Sequence, residues 1–149
     1  MFYLFCLSFF LSFFLSFFLF PRHVANNPSD PQVANALDLL ATLYANMPAR
    51  RKLAFEYLQQ LVQTYRTHYG ENDWRVGKVK ERLGDLHRLL GQLDQALSAY
   101  ESGLAVLEKQ DMLYELEISN LLVKIGQLHL DKHAPLKALP FLERALQLR

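Results

Sequence analysis

An internal repeat constrains this chain more than any other feature. Residues 79–107 read V-K-E-R-L-G-D-L-H-R-L-L-G-Q-L-D-Q-A-L-S-A-Y-E-S-G-L-A-V-L. Two apolar segments of helical period flank a short turn at Gly91. The lettering recurs downstream: Gly84 answers to Gly126, Ala96 to Ala138, Tyr100 to Leu142 and Leu104 to Leu146, each pair 42 residues apart. Upstream, Ala54, Leu58 and Val62 stand 42 residues before Ala96, Tyr100 and Leu104. Small residues sit where two antiparallel helices must touch, and large ones lie between them. One helical hairpin cannot bury its apolar face alone, whereas stacked hairpins bury a continuous core. The expected fold class is therefore all-α, an α-α hairpin solenoid of about three repeats preceded by an N-terminal apolar segment.

That apolar segment distorts the average composition. Residues 1–20 hold nine of the eleven Phe, the one Cys and no charge, and the rest of the chain carries all 16 basic and 15 acidic side chains. The formal net charge of +1 gives no footprint for nucleic acid. Cys6 alone excludes an internal disulfide, which fits a reducing compartment. Asn27-Pro28-Ser29 is not a glycosylation acceptor, because proline blocks it. The 149 residues suit one domain.

Two readings of residues 1–20 stand side by side. Twenty uncharged residues are long enough to span a bilayer. A cleavable leader fits poorly, since no basic region precedes the run and bulky Phe20-Pro21 follows it. Arg22 and His23 would keep the repeats of an anchored chain in the cytosol. Against the anchor, Leu-Ser-Phe-Phe occurs three times over residues 7–18. The codons CTT-TCT-TTC-TTT make that quartet a translated pyrimidine repeat, which points to a gene-model artefact. The corresponding localisations are cytoplasmic, or membrane-anchored with the repeats facing the cytosol.

Residues 21–32, with three prolines, form a linker, and residues 33–149 the repeat domain, with units at about 33–68, 77–110 and 119–149. Asp30-Pro31 predicts an N-cap and first helical residue, and Met47-Pro48 a stop. Gly70 ends a helix and Asp73 caps the next. Tyr44 to Ala54 spans ten positions where His87 to Ala96 spans nine, so the first turn carries an extra residue. Asp111 is expected to cap the third unit, with Leu113, Leu116, Ile118, Leu121, Leu122, Ile125 and Leu128 on one helix. Pro135 opens the last helix, and Pro140 is expected to loosen its first turns.

The placement of Leu83-Gly84, Ala96, Tyr100 and Leu104 resembles the tetratricopeptide repeat. Over residues 35–149 the 42-residue period, with the connector G-E-N-D-W-R-V-G at residues 70–77, is similar to kinesin-light-chain-type repeats. Asp73 and Trp74 replace the usual His and Pro there. The resemblance implies a groove, lined by the first helix of each unit, that holds a peptide or helix of a partner. Carried onto this chain, it places Asn35, Asp38 and Thr42, then Lys78, Glu81, Arg82, Asp85 and Arg88, then Asn120, Lys124 and Gln127 in the groove. Lys78, Arg82 and Lys124 favour an acidic or carboxylate-bearing peptide; the alternative for each is a solvated charge. The function implied is a non-enzymatic scaffold or adaptor, or else a membrane-tethered assembly factor using residues 1–20.

No catalytic residue, metal site or cofactor is expected. His129 and His133 are four apart, but Leu130 stands where the metalloprotease motif needs Glu, and His129 occupies an aromatic position of the repeat. Cys6 lies away from any base. Trp74, Tyr69 and Arg75 could stack a nucleobase, yet no basic stripe accompanies them, so they are expected to pack the connector. The apolar spacing of Leu139, Leu142, Ala145 and Leu146 runs undiminished to the end of the sequence. Further repeats in a longer product, or self-association through the exposed face of the last unit, are expected on that ground.

The hairpin assignment carries a test. Replacing Ala96 by Leu should force the paired helices apart and cost about 1–3 kcal/mol. An unchanged melting temperature would contradict it.

Overall fold

The computed structural model describes residues 31–110 and 112–148. The tract 1–20, the linker as far as Asp30, and Asp111 lie outside the described residues. Six α-helices follow in order: α1 (Pro31–Ala45), α2 (Arg51–Tyr69), α3 (Trp74–Leu89), α4 (Leu93–Leu107), α5 (Glu115–Asp131) and α6 (Pro135–Gln147). Short 3-10 turns occupy Pro48–Arg50 and Met112–Tyr114. No strand occurs among the described residues. None of the described helices is long and apolar enough to cross a membrane.

The helix ends follow the local chemistry. Pro31 and Pro135 begin helices, where a missing N–H costs little. Gly70 takes φ +96° and its N–H donates to the Arg66 carbonyl at 3.0 Å, closing α2. The Asp73 carboxylate accepts from the Arg75 backbone N–H at 2.9 Å and caps α3. Between α3 and α4, Gly91 has φ +74° and the Gln92 N–H reaches back to the His87 carbonyl at 2.9 Å. The same turn recurs 42 residues on, where the Ala134 N–H meets the His129 carbonyl at 2.9 Å. There the left-handed position belongs to His133, at φ +56°.

As the expected Asp73 cap requires, only Gly70–Asp73 of the connector is loop, and Trp74–Gly77 form the first turn of α3. Two details depart from the sequence-based expectation. The third unit opens with a 3-10 turn, and α5 starts at Glu115. Leu113 and Leu116 are consequently exposed; Leu116, two residues before Ile118, points away from the face that carries Leu121, Ile125 and Leu128. Pro140 is exposed inside a continuous α6, where water can satisfy the carbonyl one turn back. The longer first turn is present: residues 46–50 separate α1 from α2, against 90–92 and 132–134 in the other units.

The helices pair as hairpins, α1 with α2, α3 with α4 and α5 with α6, and α2 packs on α3 as α4 packs on α5. The core accordingly straddles the units. One buried cluster joins Leu37 and Ala41 of α1, Leu58 and Leu61 of α2, and Val76, Val79 and Leu86 of α3. A second joins Tyr100 and Leu107 of α4 to Leu121, Ile125 and Leu128 of α5 and Ala145 of α6. Each large side chain so enclosed contributes about 1.5–3 kcal/mol. The two facing helices of the middle hairpin touch through Gly84. A β-carbon there would stand 2.3 Å from the Tyr100 ring. At Gly126 it would stand 2.6 Å from Leu142, the equivalent contact one unit later.

Backbone substitutions should read out both constraints. Gly84→Ala is expected to destabilise by about 1–3 kcal/mol, since the buried ring has no room to retreat. His133→Gly should stabilise by about 1 kcal/mol, because it relieves a left-handed φ at an exposed turn. Urea unfolding curves would check the two signs.

Candidate partner-binding groove

The first helices of the three units share one face, and that face is laced by ion pairs. Lys78, Glu81, Arg82, Asp85 and Arg88 recur at three- and four-residue spacing along α3, which places them side by side. The Arg82 guanidinium pairs with the Asp38 carboxylate of α1 and donates to the Thr42 hydroxyl at 2.6 Å. One unit on, the Lys124 ammonium of α5 meets Glu81 at 2.8 Å and Asp85 at 2.7 Å. Lys78 also reaches Glu81, at 3.2 Å. Arg88 bonds Asp131 at 3.2 Å, and Gln127 donates to the same carboxylate at 3.0 Å.

Of the residues expected in the groove, the structure brings Asp38, Thr42, Lys78, Glu81, Arg82, Asp85 and Lys124 into contact. Asn35 lies exposed on α1, one turn before Asp38, and Asn120 lies exposed on α5, one turn before Lys124. Within this face four carboxylates (Asp38, Glu81, Asp85, Asp131) balance four cations (Lys78, Arg82, Arg88, Lys124). The cations expected to await an acidic ligand therefore already hold the protein's own acids.

The middle of the face is tightest. The fully buried Tyr100 hydroxyl donates to Asp85 at 2.7 Å. Burial, then this hydrogen bond to a carboxylate, pushes the phenol well above its ordinary range. Burial alone would lower the Lys124 ammonium, but hydrogen bonds to Asp85 and Glu81 outweigh it and raise the group. Burial depresses the Arg82 guanidinium, and Asp85 opposes the shift.

An open cleft of about 390 Å³ lies between α1 and α3, lined by Asp38, Thr42, Asn46, Leu58, Arg82 and Leu89, among others. Asn46 and Leu89 were not singled out from the sequence. Both are exposed beside helix ends, and neither carries a signal beyond its position one turn past Thr42 and Asp85.

His129 packs in place of the repeat's aromatic residue. It is buried and stacks on Phe141 with centroids 5.5 Å apart. Among the described residues no group of three or more His, Cys, Asp or Glu could hold a metal ion. Trp74 stacks on Tyr114 at 5.6 Å, and the Arg75 guanidinium lies over Tyr69 at 4.2 Å, so this cluster packs the connector between units.

The raised groups fix a pH dependence. Both are higher in the folded chain than in the unfolded one, so their contribution is complete below their unfolded values and is lost as pH rises. Stability should fall from about pH 10 upward, where unfolded chains release the tyrosine and lysine protons first. Tyr100→Phe should flatten part of that alkaline slope. Denaturant titrations from neutral to alkaline pH would detect it.

Solved structures share this architecture. BtubC (BKLC) from P. vanneervenii superposes with a TM-score of 0.78 at 22% identity, over 88% of this chain and 53% of that one. MamA superposes at 0.62 and 17% identity, over 84% and 61%. A second structure, MamA MSR-1 C2, gives 0.58 and 18%, over 86% and 62%. The chain thus spans between about half and three fifths of the length of each. No protein-family model and no curated protein matches the sequence. The fold is a tetratricopeptide-type solenoid of helical hairpins.

Proposed function

We propose that this chain is a non-enzymatic adaptor, with residues 33–149 acting as one interaction unit that holds a segment of another protein on the α1-α3-α5 face. The observation that carries this reading is the cleft between α1 and α3. It opens on a face shared by consecutive units, and it combines the apolar Leu89 with the amide of Asn46 and the Arg82–Asp38 pair. Such a mixture offers an apolar anchor and polar groups that fix orientation, and the carboxylates that line it, Asp38 and Asp85, are held by Arg82 and by Lys124 and Tyr100. The likeness to BtubC and MamA supports the fold on which the reading rests.

The charge balance shapes the partner's chemistry. An acidic segment would exchange its carboxylates for Asp38 at Arg82 and for Asp85 or Glu81 at Lys124. Its binding would therefore be strongly salt-sensitive. Asn35, Asn120 and Gln127 would contact the partner's backbone, because side-chain amides both donate and accept.

The test begins by capturing partners on the immobilised full chain and identifying the bound segment. Leu89→Asp should weaken that segment about tenfold, by placing a charge in the apolar part of the cleft. Leu136→Asp, on the exposed outer side of α6, should leave affinity unchanged. Equal affinity of the Leu89→Asp and unsubstituted chains would remove the cleft from the binding surface.

A further inference from the structure

The ion pairs between units define a register that continues past both ends of the stack. Arg82 and Lys124 occupy equivalent positions in α3 and α5, 42 residues apart. Their acceptors are equivalent too: Asp38 and Thr42 for Arg82, Glu81 and Asp85 for Lys124. The acceptors are 43 apart because the first turn holds an extra residue. At each junction the later unit supplies the cation and the earlier unit the acid.

Extended one step in each direction, this register lands on Leu39 and Val123. Leu39 stands in α1 where Arg82 and Lys124 stand in the later units. Val123 stands in α5 where Asp38 and Glu81 stand in the earlier units, and Gln127 stands where Thr42 and Asp85 stand. Both are exposed, Leu39 at 72% and Val123 at 41%. At the two outer faces the cation position and the first acid position have thus become apolar, while the second acceptor position keeps an uncharged amide, Gln127.

The surrounding apolar positions agree. Leu43 of α1 is exposed, whereas its equivalents Leu86 and Leu128 are buried against the preceding unit. Leu146 of α6 is 77% exposed, whereas its equivalents Val62 and Leu104 are 8% and 7% exposed under the following unit. Each outer face therefore has the shape of one half of the internal junction, and the two halves match each other in polarity.

We propose that a second copy of this chain docks head to tail, its α1 seated on α5 and α6 of the first, with Leu39 packed on Val123. The contact continues the junction already made twice within the chain. A repeat carrying Arg or Lys at that position would meet Val123 and the Gln127 amide, with no carboxylate at either acceptor position, so the face favours the apolar Leu39 of its own copy. The contact is heterologous, so each docked copy uses one face and keeps the other, and association proceeds beyond a dimer.

The test is a charge swap on the full chain, read by sedimentation across a concentration series. The unsubstituted chain should gain mass with concentration. Leu39→Lys and Val123→Glu should each weaken association at least about tenfold, because each buries one unpaired charge. Both sites are exposed in the monomer, so folding is not at stake. Mixing the two variants should restore assembly, since the introduced ammonium and carboxylate then meet at one junction and Leu39 meets Val123 at the next. The doubly substituted chain should also assemble with itself. A monomer at every concentration, single variants that associate like the unsubstituted chain, or a mixture that stays monomeric would each overturn the proposal.

Discussion

Everything in this structure depends on how closely two antiparallel helices can approach. Without a β-carbon at Gly84, the Tyr100 ring lies directly on the α3 backbone, and Leu142 lies likewise on α5 at Gly126. Close approach brings the flanking apolar rows together, and it leaves each hairpin with one apolar side that it cannot cover. The next hairpin supplies that cover, which is why the buried clusters run from α1 and α2 into α3, and from α4 through α5 to α6. The hairpin contact sets the geometry, and the junction supplies much of the burial.

Polar chemistry is laid over this apolar frame rather than replacing it. Glu81 is nearly buried, and leaving it unpaired would be costly. Two ammonium groups, Lys78 and Lys124, converge on it from different helices. The Tyr100 hydroxyl and Lys124 converge in turn on Asp85. The junction between the second and third units is thereby pinned by a connected network in which each member satisfies another. The same network neutralises most of the charge that a partner would meet.

Much of the fold was legible in the sequence because the repeat states its own packing. Gly84, Ala96, Tyr100 and their counterparts identified the hairpins, and Gly70, Asp73 and Pro135 fixed helix ends through strictly local chemistry. The start of α5 was less legible, since Leu113 and Leu116 are apolar and in period yet belong to a 3-10 turn and an exposed face. Periodicity reports which residues share a side, but not where the helix begins. The groove was legible as a set of positions. Its internal pairing was not, because Arg82–Asp38 and Lys124–Asp85 join residues about forty positions apart, and only the superhelical stacking brings them together.

The extra residue in the first turn bears on more than one loop. It shifts α1 by one position relative to a uniform 42-residue register. Aligned at 42, Asp38 would fall opposite Lys80 and Thr42 opposite Gly84, and no repeating polar contact would emerge. Aligned at 43, Ala41 joins Gly84 and Gly126 as the small residue of the hairpin, and all three positions are buried. Asp38 then joins Glu81, and Thr42 joins Asp85, as acceptors of the following unit's cation. A helix slipped by one residue rotates by about 100°, which would turn Asp38 away from Arg82 and bring a different row of side chains to the junction. The insertion is absorbed by the 3-10 turn at Pro48–Arg50, so α1 keeps the rotation that both its hairpin and the next unit require.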